Sequence, residues 1–303
     1  MKYKRIVAVV PVYRDAIRAK ATVDALLRCI VPAPFLLRVQ VVDDGSQDGT
    51  GERLTFQFSG RADVLQLTRN MGRSFARNAG AAKAEADLLL FVDADCEPID
   101  ANFIIHHLEA IQASDVSMGT ILGQNDGFWH SYQEASVARR IRLARRTPIA
   151  RFTTQNVMID ARLFARIGGF DETFKGYGFE DRDLAIRLAK EGGRFATAGE
   201  ACVIHRDNLA LDRVCAKMLE AGATTSTIFA ERHPFEYRAL GYEAIDARRH
   251  PWRGLVARVA WPPLRLLARH DAWLHWSGLP FAARASAVRL MSALSYLYGT
   301  LQR

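Results

Sequence analysis

The chain has 303 residues, 49% apolar and 24% charged, a globular composition that excludes wholesale disorder and a fibrous chain. Its four cysteines are too sparse for a disulfide scaffold, and none forms a C-x-x-C pair, so a zinc knuckle or thioredoxin-type motif is excluded and a reduced, cytosolic setting is expected. The net charge is +8 and uneven: from Arg206 onward 13 Arg and one Lys face eight acids, a surplus of six that points to an anionic partner such as lipid head groups, a phosphorylated substrate or nucleic acid.

The apolar run at 6–10 is short and lacks a following small-residue cleavage site, so no signal peptide is expected. No uncharged run approaches about 18 residues, so no ordinary transmembrane helix is expected. Runs at 6–10, 38–42, 63–67 and 88–92 read as strands, each short, apolar and followed by turn chemistry. Residues 15–30, 50–58 and 73–84 between them have helical spacing. This alternation predicts an α/β domain with a largely parallel sheet, whose ligands bind beyond the carboxyl ends of the strands. Farther on, 116–122 and 155–159 read as strands, 127–146 as an Arg-rich helix, and 181–191 as a helix stopped by Gly192-Gly193. Residues 194–197 and 201–204 read as two closing strands. Beyond His205 the pattern is helical, with interruptions expected at Pro234, Pro251, Pro262-Pro263 and Pro280.

Three strand ends carry polar residues: Pro11-Val12-Tyr13, Asp43-Asp44-Gly45-Ser46 and Asp93-Ala94-Asp95. Asp43, Asp44 and Asp48 also suit turns and helix caps. The D-x-D at 93–95 follows a buried-looking strand, where two carboxylates repel unless a cation or hydrogen-bond donors neutralise them. Such oxygen ligands suit Mg2+ or Mn2+, which in turn bind a diphosphate.

Val9-Val10-Pro11-Val12-Tyr13, Val41-Val42-Asp43-Asp44-Gly45-Ser46, Asn70-Met71-Gly72 with Ala76-Arg77-Asn78-Ala79-Gly80, and Phe91-Val92-Asp93-Ala94-Asp95 follow in order. Then come Gly168-Gly169-Phe170-Asp171-Glu172 and Gly178-Phe179-Glu180-Asp181-Arg182-Asp183-Leu184. Over residues 4–205 this set closely resembles the inverting, nucleotide-sugar-dependent glycosyltransferases of the family 2 type, which have the GT-A fold. The last two segments look most like galactosyl- and N-acetylhexosaminyl-transferring members.

The resemblance implies a role for each matching position. Pro11, Val12 and Tyr13 line the nucleotide base. Asp44, with Asp43, reads uracil, whose N3–H is a donor that a carboxylate accepts. Arg77 and Asn78 flank the base and sugar donor, Asp93 and Ala94 lie nearer the ribose and sugar, and Asp95 with His205 ligates Mn2+ or Mg2+. Asp181 is the catalytic base that deprotonates the acceptor hydroxyl, and Glu180 holds donor or acceptor hydroxyls. Gln155 and Asn156 are expected to reach sugar hydroxyls, with Arg151, Thr153 and Thr154 as weaker candidates. Tyr177, Gly178 and Phe179 form a mobile segment whose aromatic rings face a sugar. Asp183 and Arg187 are expected to be helix packing and salt-bridge residues.

The expected organisation is a catalytic domain over 1–205, with nucleotide-binding (1–115) and acceptor-binding (116–205) parts, and a helical basic and aromatic extension over 206–303. In that extension Trp252, Trp261, Trp273 and Trp276 interleave with Arg253, Arg258, Arg265 and Arg269, a composition suited to a helix in a bilayer interface, while packing or an oligomer contact stays open. Arg139, Arg140, Arg142, Arg145, Arg146 and Arg151 read as a solvated helix face or an anion-binding surface. No nucleic-acid motif accompanies these charges.

The expected activity is metal-dependent transfer from a UDP-sugar to a saccharide or lipid-linked glycan, in polysaccharide or glycoconjugate synthesis, by a cytoplasmic enzyme peripheral at the inner face of the cell membrane. Two rivals stay open. A nucleotidyltransferase lacks support because no glycine-rich, lysine-bearing loop follows the first strand. A non-catalytic sugar- or lipid-binding protein is disfavoured by the retained Asp95, Asp181 and His205.

Overall fold

The computed structural model describes residues 4–123, 127–144, 148–207 and 209–302. In chain order the elements are β1 (Arg5–Val12), α1 (Ala16–Leu27), β2 (Leu36–Asp43), α2 (Thr50–Gln57), β3 (Asp63–Gln66), α3 (Arg73–Ala82), β4 (Leu88–Val92), β5 (Cys96–Pro98), α4 (Phe103–Ile111) and β6 (Val116–Leu122). There follow α5 (Gly127–Ala144), β7 (Asn156–Asp160), α6 (Ala161–Arg166), α7 (Glu180–Lys190), β8 (Phe195–His205), α8 (Leu211–Ala223), α9 (Thr225–Arg232), α10 (Pro234–Ala239), α11 (Pro251–Ala268) and α12 (Phe281–Gly299). The chain divides into two compact units. One comprises Met1–Gln124, Phe152–Glu172 and Leu184–Asp207, the other Asn125–Arg151, Thr173–Asp183 and Asn208–Arg303. The grouping crosses residue 205: the segment carrying Glu180 and Asp181 folds with the C-terminal helices.

The first unit holds an eight-stranded sheet in the order β3-β2-β1-β4-β7-β6-β8-β5. β3, β2, β1 and β4 are parallel. β7 runs antiparallel to β4 and β6, β6 parallel to β8, and β5 antiparallel to β8, so the sheet is mixed. One face of the parallel half packs Ile6, Ala8, Val10, Val39, Val41, Leu88, Leu90 and Val92 against Ala19, Val23 and Leu26 of α1 and Phe103, Ile104 and Leu108 of α4. Strands covered on both faces read as continuous apolar runs, which is why β1 and β4 stand out in the sequence.

Two expected closing strands are one, β8, whose pairing with β6 shifts register between Met118 and Thr120. Asn156 spans that irregularity. Its Nδ2 donates to the carbonyls of Thr120 (3.1 Å) and Ala201 (2.9 Å). Its Oδ1 lies 2.8 Å from His107 Nε2, and His107 Nδ1 lies 2.9 Å from Ser117 Oγ. Because the Asn156 amide nitrogen faces two carbonyls, its oxygen accepts and His107 carries its proton on Nε2, leaving Nδ1 to accept from Ser117. A Cβ on Gly119 would lie 2.2 Å from Asn156 Nδ2. Gly119→Ala is therefore expected to destabilise the chain by about 1–3 kcal/mol through overpacking. In urea titrations the double variant with Asn156→Ala should lose less than the sum of the single changes.

The second unit gathers Phe128 of α5, Leu211 and Cys215 of α8, Trp261 and Ala268 of α11, and Val288 and Met291 of α12 around Leu274. Pro234 and Pro251 begin α10 and α11, and Pro280 precedes α12, where a missing N–H costs nothing. Pro262 and Pro263, expected to interrupt, sit instead inside α11, where they remove the helical donors to the Arg258 and Val259 carbonyls. Among the described residues no helix is long and apolar enough to cross a membrane.

Candidate active site

β2, β1 and β4 are neighbours and parallel, so their carboxyl ends lie side by side, and Val12 pairs with Asp43. The loop after β2 is tightly built. Gly45 takes φ +69°, and a Cβ there would meet the Arg69 backbone at 2.3 Å, so only glycine fits. Asp43 accepts from the Ser46 backbone N–H (3.2 Å) and, very closely, from its hydroxyl. Asp44 accepts from the N–H groups of Met71 (2.8 Å) and Gly72 (2.9 Å). Burial raises both carboxyls above the usual range against these hydrogen bonds. Pro11 is half-buried and Val12 buried, whereas Tyr13 is exposed beneath the Arg14 guanidinium, 5.1 Å from its ring centre.

Beside them, Arg77 is buried on α3 and pairs with Asp93 Oδ1 at 2.6 Å. Its guanidinium also lies 5.3 Å from the Phe170 ring centre. Asn78, one residue on, bonds both backbone groups of Phe170 and the Glu172 carboxylate at 2.8–2.9 Å. Its amide thus holds the Gly168–Glu172 loop in place. Ala94 contributes its carbonyl to Thr22.

β5 starts directly after Asp95 and pairs Cys96 with His205, which sets the D-x-D against the end of β8. Asp95 Oδ2 and His205 Nε2 are 3.3 Å apart, and the Arg206 N–H donates to the Asp95 carbonyl at 2.7 Å. Gln155 Nε2 lies 3.4 Å from His205 Nε2. Burial pushes the Asp95 carboxyl up, but the His205 hydrogen bond and charge, with Arg18, bring it below its ordinary value. Burial likewise lowers His205, and Asp95 overcomes this and raises it. Asp95, Cys96 and His205 present ligand atoms within 4.8 Å of one another. The Cys96 thiol is fully buried and pushed far up by burial, and its soft sulfur does not suit Mn2+ or Mg2+. A carboxylate oxygen and an imidazole nitrogen remain, a donor pair that fits Mn2+ and tolerates Mg2+.

In the second unit the segment before α7 is anchored by the C-terminal helices. The Tyr177 N–H donates to Glu220 (2.9 Å), its carbonyl accepts from Thr225 (2.9 Å), and Lys217 sits 5.6 Å from its ring centre. Phe179 takes φ +71°, a strained conformation for a bulky residue, and its ring stacks on Phe229 at 4.7 Å. Glu180 is buried and Asp181 half-buried at the first turn of α7. Asp183 is buried and accepts from His233 at 2.8 Å. Arg187, in the first unit, donates to the carbonyls of Ile167 and Gly169.

Two expected sugar contacts are corrected. Asn156 is fully buried and bonded through its whole amide, and Phe179 is buried in an aromatic cluster rather than offered to a ring. Arg140, read from the sequence as part of a solvated helix face or an anion-binding surface, is half-buried. Burial and the neighbouring Arg182 lower its guanidinium, with Asp181 opposing. Arg139 and Arg142 are exposed, Arg151 is half-buried, and Arg145 and Arg146 lie outside the described residues.

Residues 7–170, more than half of the chain, match the profile of glycosyl transferase family 2, and residues 138–207 match that of the N-terminal domain of galactosyltransferase. The fold is of the GT-A type. The chain belongs to glycosyl transferase family 2. It is 31% identical over 224 residues to validoxylamine A glucosyltransferase of Streptomyces hygroscopicus subsp. limoneus, spanning 61% of this chain and 48% of that protein. It is 27% identical over 251 residues to pre-mycofactocin glycosyltransferase of Mycobacterium tuberculosis, spanning 77% and 49%. The chain thus spans about half the length of these relatives. Among solved structures it is similar to the mannosyltransferase PcManGT from Pyrobaculum calidifontis, in complex with GDP-Man and Mn2+, with a TM-score of 0.64 at 17% identity over 99% of this chain and 88% of that one. GalNAc-T7 with UDP, GalNAc and Mn2+ gives a TM-score of 0.51 at 17% identity, over 67% and 44%.

Proposed function

We propose that the chain moves a hexosyl or N-acetylhexosaminyl group, with inversion, from a UDP-sugar to a hydroxyl of a saccharide or lipid-linked glycan. The observation that carries this reading is the Asp95–His205 pair beside Arg77–Asp93 at the carboxyl end of β4. Pro11, Val12 and Tyr13, with the carboxylates of Asp43 and Asp44, bind the base. Arg77 fixes Asp93 toward the ribose and sugar, and Gln155 places its amide beside His205. Asp95 and His205 would hold a divalent cation, which would supply positive charge to the diphosphate leaving group.

Asp181 accepts the proton of the acceptor hydroxyl as that oxygen bonds to the sugar C1 and the C1–diphosphate bond breaks. Inversion follows because attack and departure are on opposite faces. Glu180, buried next to it, orients hydroxyls. We assign the chemistry to residues 1–205 and the support of the 173–183 segment to the helices after residue 205, through Glu220 and Thr225.

UDP binding measured by calorimetry should require Mn2+ or Mg2+ and fall at least about tenfold with chelator, given that charge-assisted contacts to diphosphate are lost. Asp95→Ala and His205→Ala should reproduce the chelator effect. Equal affinity with and without metal would sink the metal reading. A panel of UDP- and GDP-sugars tests the donor, and turnover with GDP-sugars alone would transfer the assignment to that nucleotide.

A further inference from the structure

Helix α11 is apolar on two opposite sides. Gly254, Ala257, Trp261 and Ala268 are buried within the second unit. On the other side Trp252, Leu255, Val256, Val259, Leu266 and Leu267 are 47–73% exposed. At about 100° per residue these six and Pro263 fall on one continuous stripe. Arg253 edges it on one side, and Arg258, Arg265 and the C-cap Arg269 edge it on the other. The helix and its cap contain no acidic residue, and among the described residues none of these four arginines pairs with a carboxylate. The outward face of a surface helix is ordinarily polar, and an apolar face of this extent marks an interaction site.

Charge selects the occupant. A second copy of the same face would set four arginines against four arginines with no acid between them. An anionic bilayer offers opposite charge at the headgroups and an apolar phase just below. The prolines limit the depth: the Arg258 and Val259 carbonyls lack helical donors and need water or headgroups, which the interface supplies and the hydrocarbon core does not. The same burial pattern narrows the sequence reading. Trp261 is buried and Trp273 packs on the inner cluster, while Trp252 and Trp276 stay exposed.

We propose that α11 lies in the interface of an anionic membrane, with the stripe from Trp252 to Leu267 at the headgroup–acyl boundary and the flanking arginines on the phosphates. This docking is independent of the sugar-transfer assignment. The test is flotation of the full chain with phosphatidylcholine vesicles with and without phosphatidylglycerol. Binding should be at least about tenfold tighter with the anionic lipid and weaken as salt shortens the Debye length. Each arginine near such a surface is worth about fivefold, so Arg253→Gln with Arg258→Gln should weaken binding about 25-fold at low salt and flatten the salt response. The exposed triple change Leu255→Gln, Val259→Gln and Leu266→Gln should remove the salt-resistant part, with circular dichroism verifying the fold. Failure of the parent to bind, or equal binding to both vesicles, overturns the proposal. So does a triple variant that turns a dimer into a monomer in light scattering while vesicle binding is unchanged.

Discussion

Asp181→Asn is expected to bind the nucleotide-sugar donor as the parent chain does and to transfer sugar about 10²–10⁴-fold more slowly, the usual cost of losing a general base. The amide is nearly isosteric with the carboxylate and keeps its hydrogen-bonding reach, but it cannot take a proton at neutral pH. Asp181 is favoured over Glu180 by access as well as by motif: Asp181 is half-buried at the helix start, whereas Glu180 is buried. Glu180→Gln should therefore lower turnover less. Initial rates with calorimetry of donor binding decide the matter, and near-normal turnover of Asp181→Asn would move the base to Glu180. Glu220→Gln supplies a companion measurement. Glu220 holds the Tyr177 N–H through a charged acceptor, so weakening it should lower kcat with little change in donor KM.

The parallel half of the sheet was readable because each of its strands is a short apolar run with turn chemistry behind it, and β4 matches its expected 88–92 bounds. β5 was not readable: a three-residue strand containing Pro98 has no period to detect, yet its pairing of Cys96 with His205 is what brings Asp95 and His205 together. The helix α4, with two histidines inside an apolar stretch, was missed, and one of them, His107, is fully buried. Asn156 and Phe179 illustrate the same limit. A linear pattern shows a polar or aromatic residue near a site but not which way it points, and Asn156 on β7 is buried with its amide on the Thr120 and Ala201 carbonyls.

The His107–Asn156 network should make the chain's stability fall as pH drops from about 6.5 toward 4. Burial holds the His107 imidazole down at about 4, against a partial rise from its Asn156 hydrogen bond. In the unfolded chain the same group titrates near 6.5. Between those values the unfolded state binds a proton that the folded state refuses, so stability rises with pH across the window and is lost as pH falls through it. The full effect is on the order of 3 kcal/mol and stops growing once the folded-state group also protonates. Carboxylates titrate in the same range, so a comparison with His107→Gln isolates the imidazole. The variant should be less stable at pH 7, because Ser117 and Asn156 lose a well-placed ring partner. Its disadvantage should shrink toward pH 4.5, because it has no buried base to protonate. Urea titrations at a series of pH values measure both curves. A parent–variant difference that stays constant from pH 7 to 4.5 would show that His107 takes up its proton over the same pH range folded and unfolded, and burial would then not hold its imidazole down.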